Sequence, residues 1–195
     1  MRLLNLIRFV VITSFLSGCE TAENTYDTVY SLWEKPIILP CPEYRILSDA
    51  SRIVQYRDGQ GRDLVDVNTD ARILDLAMEC ITSVDNETKS GNMEVDVKVS
   101  FGVNRGPANA TKEVLLPYFV SVIDRKKNVL YHEKFLLSGR FVGNQSVMTF
   151  LGQTVKLELP LTSKISSRNY MIYVGFLLNR EQLRYNQRVK QHQRL

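Results

Sequence analysis

The sequence predicts a mainly β protein, a single antiparallel β-sandwich followed by a C-terminal helix. Three observations carry that prediction. Met93, Val95, Val97, Val99, Phe101 and Val103 alternate with polar or small residues, a strict period of two that buries one face of a strand and wets the other. The apolar run Val114–Asp124 is followed by the polar stretch 124–128 and a returning run, Val129–Phe135, which reads as a hairpin. Further short candidates lie at Tyr44–Leu47, Arg52–Tyr56, Ala71–Ile81, Ser146–Leu159 and Tyr170–Leu178, divided by turn signals and with no long helices between them. That spacing suits a sandwich of about seven or eight strands and argues against an alternating α/β fold.

The chain opens with a leader. Arg2 and Arg8 precede a short apolar run, Phe9–Leu16, in the order of the charged and apolar regions of an export signal. The run is far shorter than the ~20 apolar residues of a spanning helix. Leu16, Ser17, Gly18 and Cys19 follow directly. These four residues resemble the lipobox of bacterial lipoproteins (Leu, a small residue, Gly or Ala, then Cys) at every position. The resemblance covers the signal peptide 1–18 and Cys19. It implies a diacylglycerol thioether on the Cys19 sulfur, cleavage between Gly18 and Cys19, and acylation of the freed amino group. Two or three acyl chains, at about 0.8 kcal/mol per buried CH₂, make a stable membrane anchor where one does not. In enterobacterial lipoproteins Asp after the cysteine signals retention in the inner membrane. Glu20 stands there instead, which leans towards the outer membrane, facing the periplasm.

Residues 19–40 read as a lipidated tether. Glu20–Thr28 is polar, and Pro36 and Pro40 favour extended chain on either side of Ile37, Ile38 and Leu39. That apolar triplet either covers a sheet edge or simply spaces the domain from the membrane. With Cys19 lipidated, Cys41 and Cys80 remain of the three cysteines. An exported pair of this kind is normally oxidised. Closing a loop of that length is worth roughly 4 kcal/mol in the chain-entropy model. The pair is therefore expected as a structural disulfide. A Cys-x-x-Cys redox motif is absent, and two thiols with two distant histidines make a poor metal set.

The sandwich is expected over 41–178. Ala71–Ile81 carries Ile73, Leu74, Ala77 and Met78, which also suit a helix, but its β surroundings and the pairing of Cys80 with Cys41 favour strand. Pro117 places its part of the strand at an edge or bulge, and Gly152 marks a bulge or break inside 146–159. The architecture resembles immunoglobulin-like or fibronectin-like domains as a class. Trp33 precedes both cysteines, so the buried tryptophan and cysteine spacing of antibody domains are not reproduced. Asn179 and Gln182 have the spacing of a capping box and start a mostly polar helix in the basic segment 179–195, with Leu183 and Tyr185 as candidates to pack on the sandwich.

Charge excludes one class of partner. The formal net charge is +4, of which Arg2 and Arg8 leave with the leader. Arg180, Arg184, Arg188, Lys190 and Arg194 against Glu181 put the basic character in the tail and leave the domain slightly acidic. A nucleic-acid binder would spread its cations over a folded face. The tail itself could meet anionic headgroups or an acidic partner, or simply be solvated.

No catalytic residue, metal ligand or cofactor is assigned. Asp58, Asp63, Asp66 and Asp70 lack the spacing and terminal Glu of a calcium loop. Gly59 and Gly61 supply a turn there, and Asp63 and Asp66 would cap it or pair with Arg62. His132 sits in a strand and His192 in the tail, and no nucleophile motif supports a hydrolytic triad. Tyr170, Tyr173 and Phe176 read as core aromatics or, alternatively, as an exposed patch for a protein. The resulting expectation is a non-enzymatic, lipid-anchored envelope protein, an accessory or assembly subunit that binds another envelope protein or a surface polymer. The alternative is a hydrolase or ligand-binding protein for envelope glycans or lipids. The chain also resembles, in outline, envelope lipoproteins with one disulfide-bearing β-domain.

Overall fold

A computed structural model describes residues 37–192. Readings placed on the signal peptide, on Cys19 and on the tether as far as Pro36 lie outside the described residues. Among the described residues nine strands and one α-helix are formed: β1 Glu43–Ile46, β2 Arg52–Tyr56, β3 Val67–Val84, β4 Gly91–Arg105, β5 Glu113–Asp124, β6 Val129–Arg140, β7 Val147–Leu151, β8 Val155–Leu161, β9 Tyr170–Phe176 and α1 Arg180–His192. They build two sheets. One has the order β1-β9-β5-β6; the other runs β2-β3-β4, with β7 and β8 both paired to β4.

The period of two in β4 does what it foretells. Met93, Val95, Val97, Val99, Phe101 and Val103 are fully buried, and they face Val114, Leu116, Tyr118, Val120 and Val122 of β5 with Ile172, Val174 and Phe176 of β9 in one core. Phe101 packs edge-on to Tyr118 at 4.9 Å between ring centres, and Tyr118 stacks on Phe135 at 5.3 Å. Ala71–Ile81 belongs to the 18-residue β3, paired antiparallel with β4 across the turn 85–90, with a register shift between Ile73 and Asp75. In that turn the Asp85 carboxylate accepts from the Thr88 and Glu87 amides, and these bonds hold its pKa below the usual range.

The long candidate 146–159 divides at Gly152 into β7 and β8. Gly152 donates to the Val99 carbonyl at 2.9 Å, and a Cβ there would lie 2.7 Å from the Tyr118 hydroxyl, so only glycine lets the chain cross this point of the core. Pro117 sits in β5 just beyond the last residue paired with β9, Tyr118. Its carbonyl still accepts from Leu177, but proline has no N–H to donate in return, so the ladder with β9 ends here.

The structure corrects one detail of the expected sandwich. β1 pairs with β9 in parallel, so the sandwich is not wholly antiparallel. Parallel neighbours need a long connection, and nearly the whole domain lies between these two strands. Further, β2, β3 and β4 are consecutive neighbours in one sheet. The likeness to immunoglobulin domains therefore rests on architecture and not on their ABED/CFG strand order.

The Cys41–Cys80 disulfide is formed, with a Cα–Cα distance of 5.8 Å. It ties the segment before β1 to β3, beyond the part of β3 that β2 covers. The Tyr44 hydroxyl of β1 donates to Asp75 of β3 at 2.8 Å, a second tie between the sheets. Leu39 packs against the core whereas Ile38 is 83% exposed, so the apolar triplet contributes one side chain to the fold. On β6 the cross-strand partner of Glu133 is the buried Val120. Directly paired residues share a face, so Glu133 lies on the core-facing side of an edge strand, where it remains exposed. The Tyr131 hydroxyl donates to it, and burial and then Glu133 push the Tyr131 pKa up to about 12.

Candidate functional site

A concavity lies beneath α1, with a volume of about 750 Å³. Its walls come from β2 and the loop after it (Val54–Gly59 and Arg62), from Asn68 and Thr69 of β3, from the approach to β5 (Thr111, Glu113, Leu115) and from α1 (Asn179–Arg188).

The loop wall is built by local capping. Asp63 and Asp66 form a reciprocal capping box around a single turn, Leu64–Asp66. The buried Asp66 carboxylate also meets Arg57 at 2.5 Å. Gly59 takes a φ of +121°, and a Cβ on Gly61 would fall 2.2 Å from the Asp66 carboxylate, so the predicted turn needs its glycines. Arg62 pairs with neither Asp63 nor Asp66. Its guanidinium donates to the Gly59 and Gly61 carbonyls and reaches Glu181 of α1 at 3.1 Å. It also lies over the Tyr56 ring at 5.3 Å. Burial raises the Tyr56 pKa, Tyr185 adds to it, and Arg62 opposes.

The helix wall starts as the sequence foretells. The Gln182 amide N–H donates to the Asn179 side chain and the Asn179 N–H donates to the Gln182 side chain, both at 2.9 Å. The docking face differs from expectation. Leu183 is 37% exposed, and the sandwich is held by Gln182, Asn186 and Lys190 at steps of four. The Gln182 side-chain amide donates to the Val54 carbonyl at 3.2 Å. Asn186 donates to the carbonyls of Asp49 and Arg52 at 2.9 and 2.7 Å. Lys190 reaches Ser48 and Asp49, and this bond depresses the Asp49 pKa. The physical reason is the surface available: the helix lies on a strand edge, where backbone carbonyls need donors and an apolar side chain gains little. Tyr185 does take part, with the Arg52 guanidinium 5.8 Å from its ring centre. Arg52 is itself clamped by Asp70 through two bonds of 2.8 Å.

Two wall residues are tied by Asn109, a buried residue whose amide donates to the Glu113 carbonyl at 2.8 Å and lies near the Thr69 hydroxyl. Gln55 donates to the Leu115 carbonyl at 2.9 Å and joins the two sheets at the cleft.

The other candidates disperse. Asp70 is held by Arg52 and Asp66 by Arg57, away from any shared point with Asp58. Tyr170 and Phe176 are core residues, and the Tyr170 hydroxyl donates to the Pro160 carbonyl at 2.5 Å; Tyr173 faces outward, half-buried. His132 is exposed on β6 with its ring 5.3 Å from Phe119, and His192 ends α1. The cleft was missed because its walls come from three segments far apart in sequence. The one signal was the polar stripe Gln182, Asn186, Lys190, whose step of four marks a helix face suited to a polar surface. Compared with known proteins, the chain shows no match to a family model, to curated proteins or to solved structures.

Proposed function

We propose that this chain is an envelope lipoprotein anchored by lipid on Cys19, on the periplasmic side of the outer membrane. Its sandwich works without catalysis, as an accessory or assembly subunit that binds another envelope protein or a surface polymer. The observation that carries the binding role is the cleft under α1, whose walls combine two tyrosine rings, Tyr56 and Tyr185, with arginines and side-chain amides. Tyrosine and arginine are the residues that concentrate binding energy at protein interfaces. The Cys41–Cys80 disulfide supports an oxidising compartment, and the lipobox-like leader supports the anchor.

Two experiments test this. Mass spectrometry of the mature protein should find an acylated N-terminal Cys19; an unmodified chain starting elsewhere removes the anchor. A photo-crosslinking residue in place of Asp58, on the cleft, or of Leu136, on the outer face of β6, should repeatedly capture one envelope protein in intact cells.

The same tyrosines and amides favour a second reading, a ligand-binding protein for envelope glycan, since ring faces and amides suit sugars. Cosedimentation of the purified protein with cell-wall sacculi, lost in Tyr185→Ala, together with no captured protein, selects that reading over the first.

A further inference from the structure

The contacts of α1 with β2 follow the geometry of a strand pairing. Ser51 accepts from the Ile73 N–H of β3, so by alternation Ser51, Ile53 and Gln55 face β3 while Arg52 and Val54 turn their carbonyls to the open side. Asn186 and Gln182 donate to those two carbonyls. Four helical residues advance about 6 Å and two strand residues about 6.6 Å. Two amides one helical turn apart thus stand where alternate N–H groups of a neighbouring strand would stand. The helix is held by polar contacts and not by burial. No residue from Arg180 to Gln191 is buried, and its other contacts include the Glu181 and Lys190 ion pairs, Gln187 at Asp49 and the Arg52–Tyr185 contact. Beside β2, the cleft offers room of about 750 Å³ between Tyr56, Tyr185 and Leu115.

We infer that α1 is a displaceable cover and that the β2 edge beneath it docks an extended strand of a partner polypeptide. The incoming strand takes over the Arg52 and Val54 carbonyls through its own alternate N–H groups, and the cleft receives its side chains. Main-chain bonds give such a site its affinity and the pocket gives it selectivity. The inference rests on the binding role proposed above and names the kind of partner.

The probe is a fluorescein-labelled peptide of alternating threonine and valine, about six residues long as strands commonly are. It is titrated into the full-length protein in detergent and into Gln182→Ala/Asn186→Ala. Loss of the two amides raises the uncovered fraction, so the variant should bind with an apparent Kd about tenfold lower. The same peptide N-methylated at alternate residues should bind neither protein. Equal affinity of parent and variant, or undiminished binding of the methylated peptide, overturns the inference. A measurement on the unsubstituted protein guards against a misfolded variant. Backbone amides of α1 should exchange hydrogen at least about a hundredfold faster than those of β3 and β4, and equal protection rejects a displaceable cover. The two proposals fail separately. Capture of a partner only from position 136, with no peptide effect, keeps the binding role and removes the β2 edge. A peptide effect without any captured protein or bound sacculi does the reverse.

Discussion

Asn186 serves two carbonyls with one amide, and the cost of losing it is local. Asn186→Ala leaves both carbonyls without that donor and should loosen α1 by about 1 kcal/mol, the usual net worth of a hydrogen bond. Hydrogen exchange of the helix amides measures this, and unchanged protection would show that the helix is held by something else. Arg52 is a second such residue. Its two bonds to Asp70 join β2 to β3 while its guanidinium meets Tyr185, so Arg52→Lys should lower the thermal midpoint more than an ordinary surface exchange, because an ammonium cannot make the paired contact. Tyr131 gives a pH signature. Its pKa, raised to about 12, lies above the ordinary tyrosine value of 10.0. Stability from the neutral phenol is complete below that ordinary value and is lost as pH rises through the raised one. Denaturant midpoints should fall between about pH 10 and 12, and Tyr131→Phe should flatten that decline. At this scale the sequence was informative where a residue's partner is close along the chain. The Asn179–Gln182 and Asp63–Asp66 caps were readable, whereas Asn186 and Arg52 serve partners brought near only by folding.

Helix α1 should respond to acid through one contact. Lys190 donates to Asp49 and lowers its pKa, so the carboxylate adds stability above its unfolded pKa of about 3.9, and that contribution disappears as pH falls through the lower folded value. Exchange of the last helical turn should therefore quicken below about pH 4, and Asp49→Asn should make it quick at neutral pH as well. The β elements were legible to different degrees for a physical reason. β4 and the β5–β6 hairpin announce themselves because one face is dry and the other wet. The parallel partner of β1 does not, since strand direction is set by the path of the whole chain. The docking side of α1 was misread because an apolar residue was expected to face the sandwich, while the surface that α1 meets is a row of carbonyls.

The disulfide acts on the whole molecule. It spans a sequence separation of 39 and joins the segment before β1 to β3. Cys41→Ala/Cys80→Ala should cost roughly 4 kcal/mol in the chain-entropy model, about 10 °C in thermal midpoint for a domain of this size. A change of a degree or two in the melting curve would put the stability elsewhere. The cleft belongs to this scale too, which is why no stretch of sequence displayed it: β2, the start of β5 and α1 line it together.

The strand edges, taken around the molecule, are closed by different means. β1 is only four residues long, β8 carries Pro160 and is broken from β7, and the disulfide and the Tyr44 hydroxyl tie β3 beyond β2 at Cys80 and Asp75. β6 carries the exposed Glu133 on its core-facing side, a charge that a neighbouring copy would have to desolvate. These closures are built into the strands, whereas α1 can leave β2. Strand addition at β2 therefore requires a helix to leave first, and a partner strand that occupies β2 blocks that position to a second one.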